Sequence, residues 1–209
     1  MAGDGDLEVP SPTFTLVQNY DLAGGPILHA DFYRLGAPAD IEELGLLPWP
    51  EDALVVIEWP ERAGELLPAD RVDLALRHVA ARGATARAVT ATGHGKGAAI
   101  VARLAALRDF IEAAHLSDAE RRRVAGDASS RSYARLLRGQ ESVILMNSPP
   151  RPDGPAVHDG RSYSAAVHLA ENVRPFIAMA HGLRERGYSA PDIHHADIER
   201  GFLIIEDLG

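Results

Sequence analysis

Short apolar runs separated by turn residues dominate the first half of the chain. Residues 13–20 alternate loosely and predict a strand, while residues 27–30 and 54–57 are unbroken apolar runs. Unbroken runs are typical of strands buried on both faces of a parallel sheet. The remaining predicted elements are a short helix at 40–46 and strands at 72–76 and 88–92. Together these elements predict a single α/β sheet over residues 7–92.

After residue 97 the apolar residues first have the spacing of a helix and then that of strands. Leu104, Leu107 and Ile111 lie on one face of a helix predicted over residues 98–113. Ser117 and Glu120 have the spacing of a capping box, which predicts a further helical turn. Hairpin strands are predicted at 133–137 and 143–146, a helix at 172–186 and a last strand at 202–206. Residues 124–147 and 202–206 should therefore form a second, antiparallel sheet packed by the helix at 172–186.

Composition narrows the classes of function. The formal net charge of −9 opposes strong direct binding of nucleic acid, which needs clustered Lys and Arg. The chain has no cysteine, so disulfides and thiolate metal sites are excluded. The acidic first ten residues do not resemble a secretory leader, and no apolar run is long enough for a membrane span. These features predict a cytoplasmic protein with no membrane association.

Two carboxylates are the first candidates for chemistry. Asp31 and Glu58 each directly follow a predicted apolar strand. Ligands of open α/β sheets bind beyond the carboxyl ends of the strands, so we expect the two side chains to converge there. A magnesium site would bring the carboxyl groups within roughly 4–8 Å of each other. The alternative is that each carboxylate only caps its own strand.

The residues around these carboxylates occur as three motifs in series: VPSPTFTL at 9–16, HADFYRL at 29–35 and IEWPE at 57–61. In order and spacing they resemble the ATPase subunit of the bacterial tRNA threonylcarbamoyladenosine machinery, the TsaE family. The resemblance covers residues 7–105. It implies a P-loop NTPase-type sheet, ATP and Mg²⁺ as cofactors, and the protein subunits of the tRNA threonylcarbamoyl-transferase complex as partners.

The resemblance also implies roles for individual residues. Glu58 matches the magnesium-associated glutamate of the family, and Asp31 matches the acidic residue required for hydrolysis. Thr13 belongs to a nucleotide-sensing segment. Trp59 would shape the nucleotide site, although a Trp beside a buried strand serves equally often as core filling.

The family begins with a phosphate-binding loop of the form G-x-x-x-x-G-K-[ST], which cradles the ATP phosphates. The glycine-rich stretch at residues 93–97, GHGKG, does not fit that form, because Lys96 is followed by Gly97 and the glycines are too close together. We therefore interpret residues 93–97 as a glycine-rich connection, with His94 at the surface.

The second half carries a different resemblance. GDASSRSY at 126–133, ILMNSPP at 144–150 and LIIEDLG at 203–209 are similar to the N-terminal lobe of aminoglycoside phosphotransferase-like kinases, nearest to the cell-wall amino-sugar kinases. The resemblance implies a protein-kinase-like α+β lobe with an amino sugar as substrate. Its implied nucleotide contacts are Gly126, Ser129 and Ser130 in a phosphate-covering turn, and Glu206 at the adenine hinge. Met146 stands roughly where many relatives have Lys, and Glu171 is a weak match to the helix Glu of kinases.

The two resemblances predict two modules, residues 1–106 and 107–209, each covering part of its family. The expected function is an ATPase component of tRNA N6-threonylcarbamoyladenosine modification joined to a sugar-kinase-like module, present as a fragment with impaired activity. Whether the chain acts as an enzyme is left open. The alternatives are an amino-sugar phosphotransferase fragment and a non-catalytic interaction module.

We predict that the isolated 209-residue chain binds ATP and magnesium no tighter than millimolar. Each charge-assisted phosphate bond is worth roughly 1.5–3 kcal/mol, and the phosphate-loop motif that makes several of them does not occur in this sequence. Isothermal titration calorimetry with Mg·ATP measures the affinity. A low-micromolar dissociation constant contradicts the prediction.

Overall fold

A computed structural model describes residues 8–22, 24–124, 131–150 and 172–209, and the backbone of 156–158 and 161–162. Its residues form two compact units, Met1–Val101 and Ala102–Gly209. Within the described ranges the structure is mixed α/β, with mainly antiparallel pairing and few helices, which agrees with the general fold class predicted from the sequence.

The first unit contains a three-stranded sheet of order β1-β2-β3. Its strands are β1 (Val17–Leu22), β2 (Gly25–Asp31) and β3 (Leu54–Glu58). β1 pairs antiparallel with β2, and β2 pairs parallel with β3. Only the parallel pairing agrees with the interpretation of the apolar runs, and burial on both faces is wrong for β3, because its Leu54 and Val56 are exposed. The prediction of a strand over residues 13–20 is wrong at its beginning. Residues 12–16 form a turn closed by a 2.7 Å bond from Leu16 N to Pro12 O, and Leu16 adopts a φ of +63°.

The connection from β2 to β3 carries α1 (Ala39–Glu43). Asp40 holds the loop before α1 against the first turn of the helix, because its Oδ2 accepts hydrogen bonds from the amides of Gly36 and Ala37 at 2.8 and 3.0 Å. The helix is shorter than predicted, since Gly45 takes a left-handed φ of +68° that ends it. A buried cluster holds the connection to the sheet, and its members are Ala30, Phe32, Leu35, Ile41, Leu46 and Ala63.

β4 (Arg71–His78) and β5 (Arg87–His94) form a separate antiparallel hairpin. The prediction of one sheet over residues 7–92 is therefore wrong in the described structure: β4 and β5 pair with each other and not with β1, β2 or β3. Alternation of apolar residues identifies each strand but carries no information about its partner. The hairpin leaves Leu74, Leu76 and Val89 exposed.

The glycine-rich connection leads from β5 into α2 (Gly97–Ala113), and its glycines are needed for close backbone packing. A Cβ on Gly97 would lie 2.0 Å from Arg71 O, and one on Gly95 would lie 2.1 Å from Asp70 Oδ1. Asp70 also accepts a 2.8 Å bond from Lys96 N. The turn thus has a structural reason for its glycines, and a carboxylate of the chain already binds one of its amides.

The second unit is built on an antiparallel sheet, as predicted, but the sheet has five strands because β6 and β11 join the three predicted ones. Its order is β11-β12-β8-β7-β6. The strands are β6 (Glu120–Val124), β7 (Ser132–Arg138), β8 (Glu141–Asn147), β11 (Ile193–Asp197) and β12 (Phe202–Glu206). The short strands β9 (Ala156–His158) and β10 (Arg161–Ser162) pair with each other. The predicted helical turn at Ser117 and Glu120 is wrong, because Glu120 begins β6 and pairs with Leu137 of β7.

Alternate residues of this sheet enter two separate cores. On one face, Leu107 and Phe110 of α2 pack with Leu145, Phe202 and Ile204, with Ile111 beside them. On the other face, α3 (Arg174–Glu185) contributes Phe176 and Ile177 to a cluster around Met146, Leu203 and Ile205. The predicted stripe of α2 is wrong for Leu104, which is exposed. Phe110, which was not part of the predicted stripe, is buried.

Among the described helices, none is both long and apolar enough to cross a membrane.

We predict that Gly97→Ala lowers the free energy of unfolding by about 1–3 kcal/mol, the usual cost of inserting a methyl group into closely packed backbone. Urea unfolding at neutral pH measures it. The matched control is Gly24→Ala, where an added Cβ meets nothing within 4 Å and the expected change is below about 0.5 kcal/mol. Equal effects of the two substitutions would show that the contact with Arg71 O is not a packing constraint.

Candidate functional site

The parallel pairing of β2 and β3 brings the two candidate carboxylates together. Asp31 is the last residue of β2, Glu58 is the last residue of β3, and the register places them opposite each other. Adjacent strands lie about 4.8 Å apart, and paired residues of parallel strands project to the same face. The two residues therefore lie side by side at the carboxyl end of the sheet. The separation of roughly 4–8 Å between their carboxyl groups stays a prediction.

Asp31 is almost completely buried, and protein donors occupy both of its oxygens. Ser11 Oγ and Thr13 Oγ1 donate to Oδ2 at 2.9 and 3.0 Å, and Tyr33 N donates to Oδ1 at 2.9 Å. Burial raises the pKa of Asp31, but these three hydrogen bonds and the nearby His29 together lower it below its ordinary value. Asp31 is therefore ionised at neutral pH and ties Thr13 to the end of β2.

Glu58 is in a more open position. Its Oε1 lies 2.9 Å from His29 Nε2, while its side chain is 38% exposed. Within the ranges that the structure describes, no side chain or amide donates to Oε2. One oxygen of Glu58 is thus held by the protein, and the other is available to a cation or to water.

Exposed aromatic side chains lie next to the candidate carboxylates in the sequence. Trp59 follows Glu58 in a left-handed conformation with φ of +56°, and its ring lies 5.1 Å from the ring of Tyr33. With 47% of its surface exposed, Trp59 is not core filling. Phe14, beside Thr13, is also exposed, and the Arg34 guanidinium lies 5.8 Å above its ring.

The donor set limits which metal could bind. Among the described residues, no group of three or more His, Cys, Asp or Glu side chains is arranged around a common metal position. Mg²⁺ is commonly held by one or two carboxylates, with waters and substrate phosphates completing its octahedron. The Glu58 oxygen without a described donor fits that arrangement better than the buried carboxylate of Asp31, which three protein donors already engage.

The candidate residues of the second unit are only partly described. Gly126, Ser129, Ser130 and Glu171 lie outside the described residues. Glu206 ends β12, and its Oε2 accepts a 3.1 Å bond from Asp192 N, with Arg184 Nη1 at 3.6 Å. Met146 is fully buried among Leu203 and its neighbours, so it is a core residue and does not face a ligand.

Asp207, the residue after Glu206, is held by an ion pair with Arg135. Asp207 forms two contacts with the Arg135 guanidinium, at 2.6 and 2.9 Å, and also accepts from Ser142 Oγ. The bonds from Arg135 and Ser142 lower the pKa of Asp207 to about 2, against the opposing effect of burial. This network fixes the chain that leaves β12 to strands β7 and β8.

Comparison with known proteins agrees with the motifs. The family model of the threonylcarbamoyl adenosine biosynthesis protein TsaE matches residues 2–88. TsaE of Haemophilus influenzae is 43% identical over 61 residues, which are 29% of this chain and 39% of that protein. TsaE of Rickettsia bellii is 42% identical over 72 residues, 34% of this chain and 50% of that protein.

The C-terminal part matches a second group. The N-acetylmuramate/N-acetylglucosamine kinase of Caulobacter vibrioides is 40% identical over 116 residues, 51% of this chain and 32% of that protein. The chain thus spans between about a third and a half of the length of these relatives. Both resemblances drawn from the motifs are confirmed: the chain joins a TsaE-type part to an amino-sugar-kinase-like part, a combination consistent with a fusion.

Two residues of the site were not among the sequence candidates. His29 lies two residues before Asp31, and i and i+2 on a strand share a face, so the strand prediction already placed it beside the carboxylates. Ser11 lies outside any predicted strand. Its bond to Asp31 depends on the turn at residues 12–16, for which the strand-like composition of 13–20 gave no signal.

Asp207 predicts a pH dependence of stability. Its pKa is lowered from 3.8 to about 2, so the network stabilises the fold fully above pH 4 and loses this contribution as the pH falls towards 2. With the side chain only 9% exposed, the contribution is about 2 kcal/mol. We expect Asp207→Asn to lose it at pH 6 and to approach the unsubstituted protein near pH 2.5, measured by urea unfolding. Asp109→Asn, at an exposed ion pair, serves as control, and a pH-independent effect of Asp207→Asn would contradict the ionic origin.

Proposed function

We propose that residues 1–106 supply the carboxylate side of a TsaE-type ATPase site, in which Glu58 binds the magnesium ion of Mg·ATP. The observation that carries the proposal is the register of β2 and β3, which pairs Asp31 with Glu58 at the carboxyl end of the sheet. The match of residues 2–88 to the TsaE family supports it.

The environments of the two carboxylates assign them different tasks. Glu58 keeps one oxygen open, so it would hold the cation directly or through a bound water. Asp31 would act as a positioning residue for the Thr13 segment, because all of its described hydrogen bonds go to that segment and to Tyr33 N. When bound, magnesium would neutralise phosphate charge.

Trp59 and Thr13 would contact the nucleotide or sense its presence. Trp59 presents an exposed aromatic ring directly after Glu58, and stacking of a ring on a planar base or partner side chain is a common use of such a residue. Thr13 has its hydroxyl on Asp31, so a displacement of the turn at residues 12–16 would be felt at the carboxylate.

The proposed process is formation of N6-threonylcarbamoyladenosine in tRNA. A chain with net charge −9 is not suited to capture tRNA alone, so its part would run through protein subunits of the threonylcarbamoyl-transferase complex in the cytoplasm. The relatives from Haemophilus influenzae and Rickettsia bellii are named for this biosynthesis.

A second candidate function applies to residues 107–209, for which we propose a kinase-like N-terminal lobe with an amino sugar as the substrate of the complete protein. The identity to the Caulobacter vibrioides kinase and the antiparallel five-stranded sheet favour it. Gly126, Ser129 and Ser130 would cover the phosphates of ATP. Glu206 would contribute through its backbone carbonyl, because its side chain is engaged by Asp192 and Arg184 and its amide donates to Asp192 O.

A segment exchange tests the ATPase proposal. The segment of Haemophilus influenzae TsaE that aligns with this chain is replaced by the corresponding residues from the 2–88 match, and threonylcarbamoyladenosine formation is measured with the other subunits present. We expect an active chimera. Glu58→Gln in it should lower the rate about 100-fold or more, the usual loss when a charge that stabilises the transition state is removed.

Glu61→Gln is the matched control, because Glu61 is an exposed carboxylate three residues further along the same segment. Its rate should stay within about twofold of the unsubstituted chimera, since it has no described contact to the site. Circular dichroism and thermal unfolding establish that each variant is folded. A folded chimera that tolerates Glu58→Gln as well as Glu61→Gln would refute the role of Glu58.

A further inference from the structure

His29 holds the most specific contact to the proposed metal-binding residue. It lies on β2 two positions before Asp31, its side chain is 10% exposed, and its Nε2 lies 2.9 Å from Glu58 Oε1. We propose that His29 is a positioning residue that holds the Glu58 carboxylate in the orientation needed to bind a divalent cation. This inference rests on the proposed function, because it deepens the role given there to Glu58.

The register shows why such a residue is needed. The residue opposite Glu58 is Asp31, whereas the residue opposite His29 is Val56. The Glu58 side chain must therefore run back along the sheet to reach the imidazole. Without this contact, a flexible side chain would lie on the same face as the negative charge of Asp31, and repulsion would move it away from the edge of β2.

The hydrogen-bonding capacity of the ring fits one role. A carboxylate only accepts hydrogen bonds, so Nε2 must carry the proton that it shares with Glu58 Oε1. The other ring nitrogen, Nδ1, is buried and has no partner among the described residues. The ring can therefore act as a single donor aimed at Glu58. Binding of Oε1 leaves Oε2 without a donor among the described residues.

A residue that does not touch the metal can control its affinity by hydrogen-bonding to a side chain that does. Partners that hydrogen-bond a ligating carboxylate fix its orientation, and their removal commonly costs 10–100-fold in affinity. Other groups of the same face are already engaged, since Asp31 is bound by Ser11, Thr13 and Tyr33 N. Among the described residues, His29 is the one that bonds to the Glu58 carboxylate.

The test uses the full 209-residue chain with Mn²⁺ as the probe. Millimolar Mn²⁺ is titrated, and paramagnetic broadening of the backbone amide signals of Glu58 and Trp59 is followed by NMR. We expect broadening that is lost in Glu58→Gln. His29→Ala should raise the apparent dissociation constant about 10-fold. His29→Gln should stay within about threefold of the unsubstituted chain, because its amide Nε2 can donate to the same oxygen.

Leu28→Ala is the control for a merely structural effect. Leu28 is the neighbouring residue on β2 and packs against the core cluster of the first unit, so its truncation lowers stability without touching Glu58. Its Mn²⁺ affinity should be unchanged at a temperature where both variants are folded. Equal affinities of His29→Ala and the unsubstituted chain overturn the inference alone. Absence of Glu58-dependent broadening in the unsubstituted chain overturns the proposed role of Glu58 and the inference with it.

Discussion

The parallel hydrogen bonding between β2 and β3 is the constraint on which the candidate site depends. A shift of one residue in this register would turn Asp31 and Glu58 to opposite faces of the sheet. The register is held by residues that do no chemistry: Ala30 and Phe32 are buried with Ile41 of α1, and α1 lies in the connection between the two strands. Core packing of the first unit thus sets the spacing of its carboxylates.

Two carboxylates at the same edge differ because their surroundings differ. Asp31 is buried, which raises its pKa, but it accepts three hydrogen bonds that lower its pKa and tie it to Ser11 and Thr13. Glu58 shares the edge but has a single described donor, His29. The presence of a carboxylate at the end of a strand therefore does not by itself show whether that carboxylate binds a ligand. The number of donors around it decides whether it anchors the chain or remains able to bind a ligand.

Sequence patterns predicted the strands 27–30 and 54–57, and the position of Asp31 and Glu58 followed, because unbroken apolar runs and strand direction are local properties. The same patterns failed where the choice of strand partner decides the structure. β4 and β5 have the alternation of any sheet strand, yet they pair with each other in a separate hairpin. Glu120 has the spacing of a helix cap, yet it pairs with Leu137 in β6. His29 could have been found from its i, i+2 relation to Asp31. The bond from Ser11 required the turn that Leu16 closes with its positive φ.

The two units use a carboxylate after a strand in physically different ways. Asp207 follows β12 and is bound by Ser142 and by the Arg135 guanidinium, so its negative charge is cancelled by a neighbouring positive charge. Asp31 ends β2 and is bound by two hydroxyls and one backbone amide, all of them uncharged donors. The first arrangement leaves no net attraction for a cation and suits an anchor of the chain after the strand. The second retains a negative charge beside Glu58, and among the described residues this charge adds to the attraction that the Glu58 carboxylate exerts on a divalent cation.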